Sequence, residues 1–419
     1  QAAGFRACKR CRPDASPGSP EWNIREDLVA RAMRLIADGV VEREGVAGLA
    51  RRLHFSERHL NREMLRELGA GPQAIARAHR AQAARTLVET TNLDFSAVAF
   101  AAGFGSIRQF NDTIRDVFAT TPSELRRKAG SHGGQRNGRL TLRLARREPF
   151  DGYSLFAFLG QRAVPGIEKL EGDTYRRTLN LPHGTGTVAL RLHPDHVACS
   201  LALDDVRDLA AGVGRCRALL DLDADPEAVD ETLSKDRSLR KLVKANPGRR
   251  VPGSVDGFEL ACRAILGQQI SIAGARTLAG RLAAAYGSAL PLPDDGLERT
   301  WPMAATLAGA DLRGIGIAPS RTATITRVAE AVAGGDIKLD PGAEREESEH
   351  RLLGVRGIGP WTASYIRMRA LRDPDVFLAS DLGARRALQR ISVAGNRGNV
   401  DARWRPWRSY ALQHLWTLA

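Results

Sequence analysis

The segment from Arg351 to Arg386, RLLGVRGIGPWTASYIRMRALRDPDVFLASDLGARR, constrains the fold more than any other. Its hairpin Val355-Arg356-Gly357-Ile358-Gly359 puts glycines where the chain turns sharply and where no side chain blocks an approaching molecule. Pro360 follows, with φ preset for the first helical position and no N–H to leave unpaired there. The pattern predicts helix, tight turn, helix, with N–H groups at the mouth of the second helix aimed outward, a site suited to phosphate. Asp381 comes next, after the apolar run Val376-Phe377-Leu378. We read the hairpin as a grip on a DNA backbone and Asp381 as a group that does chemistry on a nucleotide.

The bulk of the chain agrees with that reading. With 419 residues it exceeds a single core and predicts several domains. Its formal charge of +14 points to a polyanionic partner. No long apolar run and no signal peptide occur, so no membrane partner is expected and a cytoplasmic, nucleoid-associated monomer is. The odd, scattered cysteines make no disulfide framework. The chain opens on Gln1 rather than Met, which suggests that a preceding part has been removed.

From Ile24 to Arg127 the pattern is helical. Val46, Leu49, Ala50 and Leu53 share one helix face; a turn at His54-Phe55 leads to Ser56, an N-cap, and a helix carrying Leu60 and Met64. Arg58, His59 and Arg62 would point outward. The arrangement repeats: Ser96 is expected to cap a helix with Val98, Ala99 and Ala102, Gly103 turns the chain, and Ser106 caps a helix with Phe110, Ile114 and Phe118. Its outward set is Arg108, Gln109, Asn111 and Arg115. A connecting helix begins near Pro72. Two helix-turn-helix units so joined, with the run AFAAGFGSIRQFNDTIRDVFATTPSELRR, resemble the AraC-type DNA-binding domain. The resemblance implies promoter DNA as a partner, RNA polymerase as a further one, and second helices whose Arg, Gln and Asn read base edges in the major groove.

Cys8-Lys9-Arg10-Cys11 is half of a four-ligand zinc site. The stretch GFRACKRCRPD resembles the end of the zinc-binding domain of Ada adaptive-response proteins. Cys8 and Cys11 match that family's second cysteine pair, zinc ligands rather than the methyl acceptor, so an incomplete site and no methyl transfer are implied. Cys199, Cys216 and Cys262 read as structural.

Arg127 to Arg139 is basic, Gly-rich and free of apolar residues except Ala129, a linker. The period then changes to two: Leu140, Leu142 and Leu144; Val188, Leu190 and Leu192; Val197, Cys199, Leu201 and Leu203. Tyr153 to Leu159 is a short aromatic helix between them. From Pro226 onward helices dominate, among them a long one from Phe258 to Tyr286 interrupted at Gly267-Gln268-Gln269. Leu312 to Arg321, with its glycines, is a second, looser hairpin of structural character.

The series ILGQQIS, GVRGIGPWTASYI, VFLASD and WRPWRSYALQHLW resembles the helix-hairpin-helix DNA glycosylases, nearest to the AlkA-type 3-methyladenine glycosylases, from Leu140 onward. Five segments are therefore expected: a zinc-domain remnant (1–23), an AraC-type double helix-turn-helix (24–128), a linker (129–139), an AlkA-like antiparallel sheet domain (140–224) and a helix-hairpin-helix glycosylase bundle (225–419). The fold class is multidomain, mainly α with one α+β part.

The resemblance makes double-stranded DNA with alkylated bases the substrate and Asp381 the catalytic carboxylate, with Trp361, Tyr365, Phe158 and Trp416 around the base. Gln268, Gln269, Gly357 and Gly359 would meet the duplex. The carbonyls of Leu353, Val355 and Ile358 match a monovalent-cation site, and catalysis itself requires no cofactor. Lyase members carry a lysine where Trp361 stands, so a hydrolase without lyase activity is implied. Gln269 replaces an apolar wedge, Ser380 an acid and Leu382 an aromatic. The residues agree: a flipped base needs a stacking surface, and a breaking glycosidic bond needs a carboxylate near the developing cation. The rival expectation is a transcription regulator whose glycosylase fold is catalytically silent.

Overall fold

In a computed structural model of the chain, residues 24–129, 139–391 and 400–418 are described. Cys8, Cys11 and most of the expected linker, 130–138, lie outside them. In chain order the structure runs α1 (Ile24–Ala37), α2 (Val40–Leu53), α3 (Glu57–Leu68), α4 (Pro72–Thr90), α5 (Phe95–Ala101), α6 (Ile107–Phe118), α7 (Pro122–Ala129), β1 (Leu140–Ala145), α8 (Gly152–Gln161), β2 (Glu168–Glu171) and β3 (Thr174–Asn180). It continues β4 (Thr185–Leu192), β5 (His196–Leu203), α9 (Leu209–Leu219), α10 (Pro226–Ser234), α11 (Arg237–Ala245), α12 (Gly257–Leu266), α13 (Ile272–Tyr286), β6 (Ala289–Asp294) and β7 (Leu297–Arg299). The last helices are α14 (Ala304–Ala308), α15 (Pro319–Ala333), α16 (Arg345–Leu353), α17 (Pro360–Arg369), α18 (Leu382–Arg390) and α19 (Arg408–Leu415). The class is mostly helical with a small antiparallel sheet. No helix among the described residues is long and apolar enough to cross a membrane.

Two compact units divide the described residues: 24–144 with 176–214, and 145–175 with 215–418. In the first, α1 to α4 enclose a core of Leu35, Leu49, Leu53, Leu60 and Met64. Ser56 caps α3, its side chain accepting from the His59 N–H at 3.2 Å. Ser106 caps α6 likewise through the Gln109 N–H at 3.1 Å, and Gly103 turns the chain at φ +82°. Phe110 and Ile114 on α6 are fully buried, which fixes the face that α6 turns outward. Sheet order in this unit is β1-β5-β4-β3. The antiparallel β4–β5 register places Leu190 opposite Cys199 and Val188 opposite Leu201, all buried, as the period-two pattern requires.

Two local expectations need correction. The N-cap of α5 is Asp94, not Ser96: its carboxylate accepts from the Ala97 N–H and from the Ser96 hydroxyl, both at 2.6 Å. A carboxylate is the stronger acceptor, so the serine serves the cap instead of being it. The strands β2 and β3 had no period-two signal because β3, TYRRTLN, carries Arg177 and Thr178 inward alongside Tyr175 and Leu179.

The second unit has two cores. One joins α12, α13 and α15 through Ile265, Leu282 and Ile325; the other joins α10, α11, α18 and α19 through Leu233, Leu239, Ala387 and Leu412. Helix α17 serves both, giving Ala363 and Ile366 to the first and Met368 to the second. Its side chains Trp361 and Tyr365 therefore emerge where the cores meet.

The Asp94 carboxyl is held below its ordinary value by the Ser96 hydroxyl and the Ala97 N–H. A depressed folded-state pKa contributes stability above the unfolded value and loses it as pH falls through the folded one. Asp94→Ala should therefore lower the unfolding midpoint at neutral pH more than Ser96→Ala. Circular dichroism melts should show the gap closing in acid.

Candidate functional site

The hairpin between α16 and α17 is braced from outside. Gly357 has φ +103°, and a Cβ there would lie 2.1 Å from Thr324 Oγ1 on α15. That hydroxyl is 3.1 Å from the Arg356 carbonyl. The Gln268 side-chain amide donates to the Gly357 carbonyl at 3.0 Å and to Thr362 Oγ1 at 3.1 Å, while Arg321 donates to the Gln268 carbonyl. Gln268, expected to face DNA, thus directs its side-chain amide to the hairpin and to the first turn of α17. Gln269, by contrast, is exposed in the α12–α13 loop and left-handed at φ +56°. Gly359 differs from Gly357. Its φ of −92° suits any residue, and among the described residues no atom other than those of its chain neighbours lies within 4 Å of where a Cβ would stand. None of the described residues requires glycine there; the open space lies at the mouth of α17.

Asp381 is the N-cap of α18, its Oδ1 accepting from the Ala384 N–H at 2.9 Å. The same oxygen accepts from the Trp416 indole N–H at 2.9 Å, and Oδ2 accepts from the Trp361 indole N–H at 3.1 Å. Capping and the expected chemical role therefore share one side chain. An ionised carboxylate offers about four lone-pair sites, so three donors leave one on Oδ2 for an incoming group.

Trp361 and Tyr365, a helical turn apart, stack with centroids 5.0 Å apart and planes 10° from parallel. No base fits between rings at that spacing, so Tyr365 backs Trp361 rather than forming the opposite wall of a slot. The Tyr365 hydroxyl accepts from Arg369 at 2.7 Å. Burial alone would raise this phenol, but the Arg369 and Arg162 cations bring it below its ordinary value. Phe158 on α8 is tied to Tyr365 through Arg369, whose guanidinium lies 4.9 Å from the Phe158 ring centroid and 5.5 Å from that of Tyr365. The Arg162 guanidinium lies 3.7 Å from the same Phe158 centroid.

The sequence singled out neither arginine. Each is one helical turn from an aromatic partner, a spacing that could have flagged them. Burial pushes Arg162 down to about 10, with Tyr365 opposing and Arg369 and Arg263 adding to the shift. Arg369 also donates to the carbonyls of Pro252 and Gly253, at 2.8 and 3.0 Å, which locks it in place. His414, two residues before Trp416, is fully buried; burial with Arg249 nearby pushes it down to about 3, so it stays neutral.

The remaining expected residues are placed as follows. Val355 C=O accepts from the Ile358 N–H at 3.0 Å, whereas the Leu353 and Ile358 carbonyls accept no backbone bond among the described residues. In the first unit Arg58, Arg62, Arg108, Gln109 and Arg115 are exposed and Asn111 is half-buried. The Gln109 side-chain oxygen accepts from the Gly105 N–H at 3.1 Å, and Arg62 lies 2.8 Å from His59 Nδ1. No group of three or more His, Cys, Asp or Glu among the described residues is placed to hold a metal.

Comparison with known proteins places this geometry in a family. The whole chain is 51% identical to the probable bifunctional transcriptional activator/DNA repair enzyme AlkA of Mycobacterium tuberculosis (strain CDC 1551 / Oshkosh), covering 85% of that protein. The chain belongs to this AlkA family. Two family models match parts of it: a helix-turn-helix domain residues 49–128 and an AlkA N-terminal domain residues 141–256. DNA-3-methyladenine glycosylase 2 of Escherichia coli (strain K12) is 34% identical over 64% of this chain and 94% of its own length. A 3-methyladenine DNA-glycosylase structure from Archaeoglobus fulgidus shares the fold, with TM-score 0.55 at 24% identity over 66% of this chain and 96% of its own. The AraC-type and AlkA-type readings of the sequence are thus both supported at the level of family.

The two hairpin glycines separate fold from contact. Gly357→Ala should cost about 1–3 kcal/mol through strain and overpacking. Gly359→Ala should leave the denaturant midpoint unchanged yet weaken affinity for duplex DNA. Equal effects of the two on stability would contradict this division.

Proposed function

We propose that the chain from Leu140 onward is a DNA-3-methyladenine-type glycosylase, which extrudes alkylated purines and hydrolyses their N-glycosidic bond, joined to an AraC-type regulator that binds promoter DNA. The observation that carries the enzymatic half is the Asp381 carboxylate held by two indole N–H groups and a helix N-terminus at the junction of two cores. The names of the AlkA relatives support the same reading.

As the glycosidic bond breaks, positive charge develops on the sugar, and a preoriented carboxylate stabilises it without reorganising. The unused lone pair on Oδ2 can accept a proton from the attacking water. An outer face of the Trp361–Tyr365 stack offers the extruded base a π surface, worth about 1–3 kcal/mol per stacked base, and more when the alkylated purine is cationic. Trp361 stands where lyase relatives place a lysine; an indole cannot form a Schiff base, so hydrolysis without strand cleavage follows. The exposed hairpin, with Gly359 open, suits a DNA phosphate. The Leu353, Val355 and Ile358 carbonyls are oxygen donors that would hold a monovalent cation, which would supply positive charge for binding a DNA phosphate.

In the first unit Arg58, Arg62, Arg108, Gln109, Asn111 and Arg115 would read or grip promoter DNA, with RNA polymerase as a partner of the bound, monomeric protein. Cys8 and Cys11 would contribute to zinc binding only alongside two further ligands; catalysis needs no zinc. A cytoplasmic, nucleoid-associated location goes with these partners.

Asp381→Asn tests the enzymatic half. The variant turns an amide N–H toward an indole donor and removes the charge, so base release from DNA carrying 3-methyladenine should fall by at least about 100-fold. Binding to a duplex with a stable abasic-site analogue should persist. Undiminished release would show that Asp381 does not carry the chemistry, whereas no release by the parent protein would leave the regulator with a silent glycosylase fold as the better account.

A further inference from the structure

Helix α18 has an outer face that the mechanism above does not use. It begins immediately after Asp381, and its sequence LGARRALQR contains no acid. Ala384 and Ala387 are buried and pack it down, while Leu382, Arg385, Arg386 and Gln389 are exposed. Leu382 is 66% exposed, a large apolar side chain at the lip beside the carboxylate.

The arginines stand out by what surrounds them. Most exposed guanidiniums of this unit are engaged: Arg313 with Asp311, Arg351 with Glu347, Arg405 with Asp375, and Arg390 on the same helix with the Leu418 carbonyl. The guanidiniums of Arg385 and Arg386 have neither an ion-pair nor a hydrogen-bond partner among the described residues. Two adjacent, unpaired cations held one turn from a catalytic-type carboxylate form a charge pattern that repels cationic surfaces and matches a polyanion. The placement also fixes the scale. Along a helix each residue rises about 1.5 Å, so both α-carbons lie about 6–8 Å beyond Asp381. That distance, with the reach of an arginine side chain, spans the phosphates flanking a single nucleotide, which follow each other every 3.4 Å or so of helix axis in one strand.

We propose that the outer face of α18 is a second DNA-backbone clamp, in which Arg385 and Arg386 neutralise phosphates of the strand that carries the extruded nucleotide while Leu382 rests against its sugar edge. Trp361 joins the two grips physically: it lies in the first turn of α17 next to the hairpin and donates to Asp381, the N-cap of α18. The hairpin and α18 thus hold the backbone on either side of the reacting sugar. The inference rests on the glycosylase reading, and it goes beyond it by naming a surface, the strand it takes and the residues that grip.

The test uses the full chain and follows base release, because the helix-turn-helix unit contributes its own DNA affinity but no chemistry. The salt dependence of kcat/KM is measured on a short duplex with one alkylated purine, for the parent, the Arg385→Ala/Arg386→Ala pair and the Arg385→Lys/Arg386→Lys pair. Each phosphate contact contributes about 0.9 to the logarithmic salt slope, so the alanine pair should flatten the slope by nearly 2, with the loss appearing in KM more than in kcat. The lysine pair should keep most of the parent slope. An unchanged slope in the alanine pair overturns the proposal, as does a lysine pair that loses as much as the alanine pair. Failure of the parent to release any base would instead strike the glycosylase reading itself.

Discussion

Everything at the centre of this protein depends on one carboxylate accepting three N–H groups. Ala384 N–H, Trp416 Nε1 and Trp361 Nε1 all converge on Asp381 within 3.1 Å. A carboxylate that accepts three donors is fixed in position and in rotamer, and hydrogen bonds to a charged group are worth about 1.5–3 kcal/mol each. The same bonds tie together the three elements that must be in register for chemistry: the helix after the hairpin, the helix that Asp381 caps, and the C-terminal helix that ends in Trp416. Moving any of them strands a donor or an acceptor at a half-buried site.

The rest of the second unit keeps that register. Helix α17 is wedged between two cores, so Trp361 and Tyr365 cannot slide without disturbing both. Arg369 fixes the far side of the stack through Tyr365 and the Pro252 and Gly253 carbonyls. On the near side, Gln268 and Thr324 hold the hairpin, which leaves the Gly359 corner open. Rigid support behind and open backbone in front is the arrangement expected of a surface that must receive a distorted duplex rather than deform to meet it.

Much of this was legible in the sequence because it is local. The hairpin, the caps at Ser56 and Ser106, the burial of Phe110 and Ile114, and the alternation along β4 and β5 each follow from short-range spacing and stereochemistry. The family resemblance added Asp381, Trp361 and Trp416, and the structure gathers these three. What escaped is what depends on which element packs against which. Glutamines 268 and 269 are adjacent in sequence, yet one braces the hairpin and the other is exposed; only the position of Thr362 and Gly357 decides that. Phe158 is legible in the sequence as an aromatic of the site, but the two arginines over its ring, one after α8 and one on α17, are not. Strand β3 hid because it turns an arginine inward, and the cap of α5 was missed because two oxygen acceptors stood two residues apart.

The central role of Asp381 requires that the indole N–H groups, and not merely the rings, serve the carboxylate. Replacing both Trp361 and Trp416 by Phe keeps an aromatic surface for the base while deleting two donors to Asp381. The decisive measurement is the single-turnover rate of base release by this pair from duplex DNA carrying 3-methyladenine. A fall of about 100-fold or more, the usual effect of removing preoriented donors at a charged site, is the result predicted here. A rate equal to that of the parent protein would show that Asp381 does not depend on them and would contradict the account.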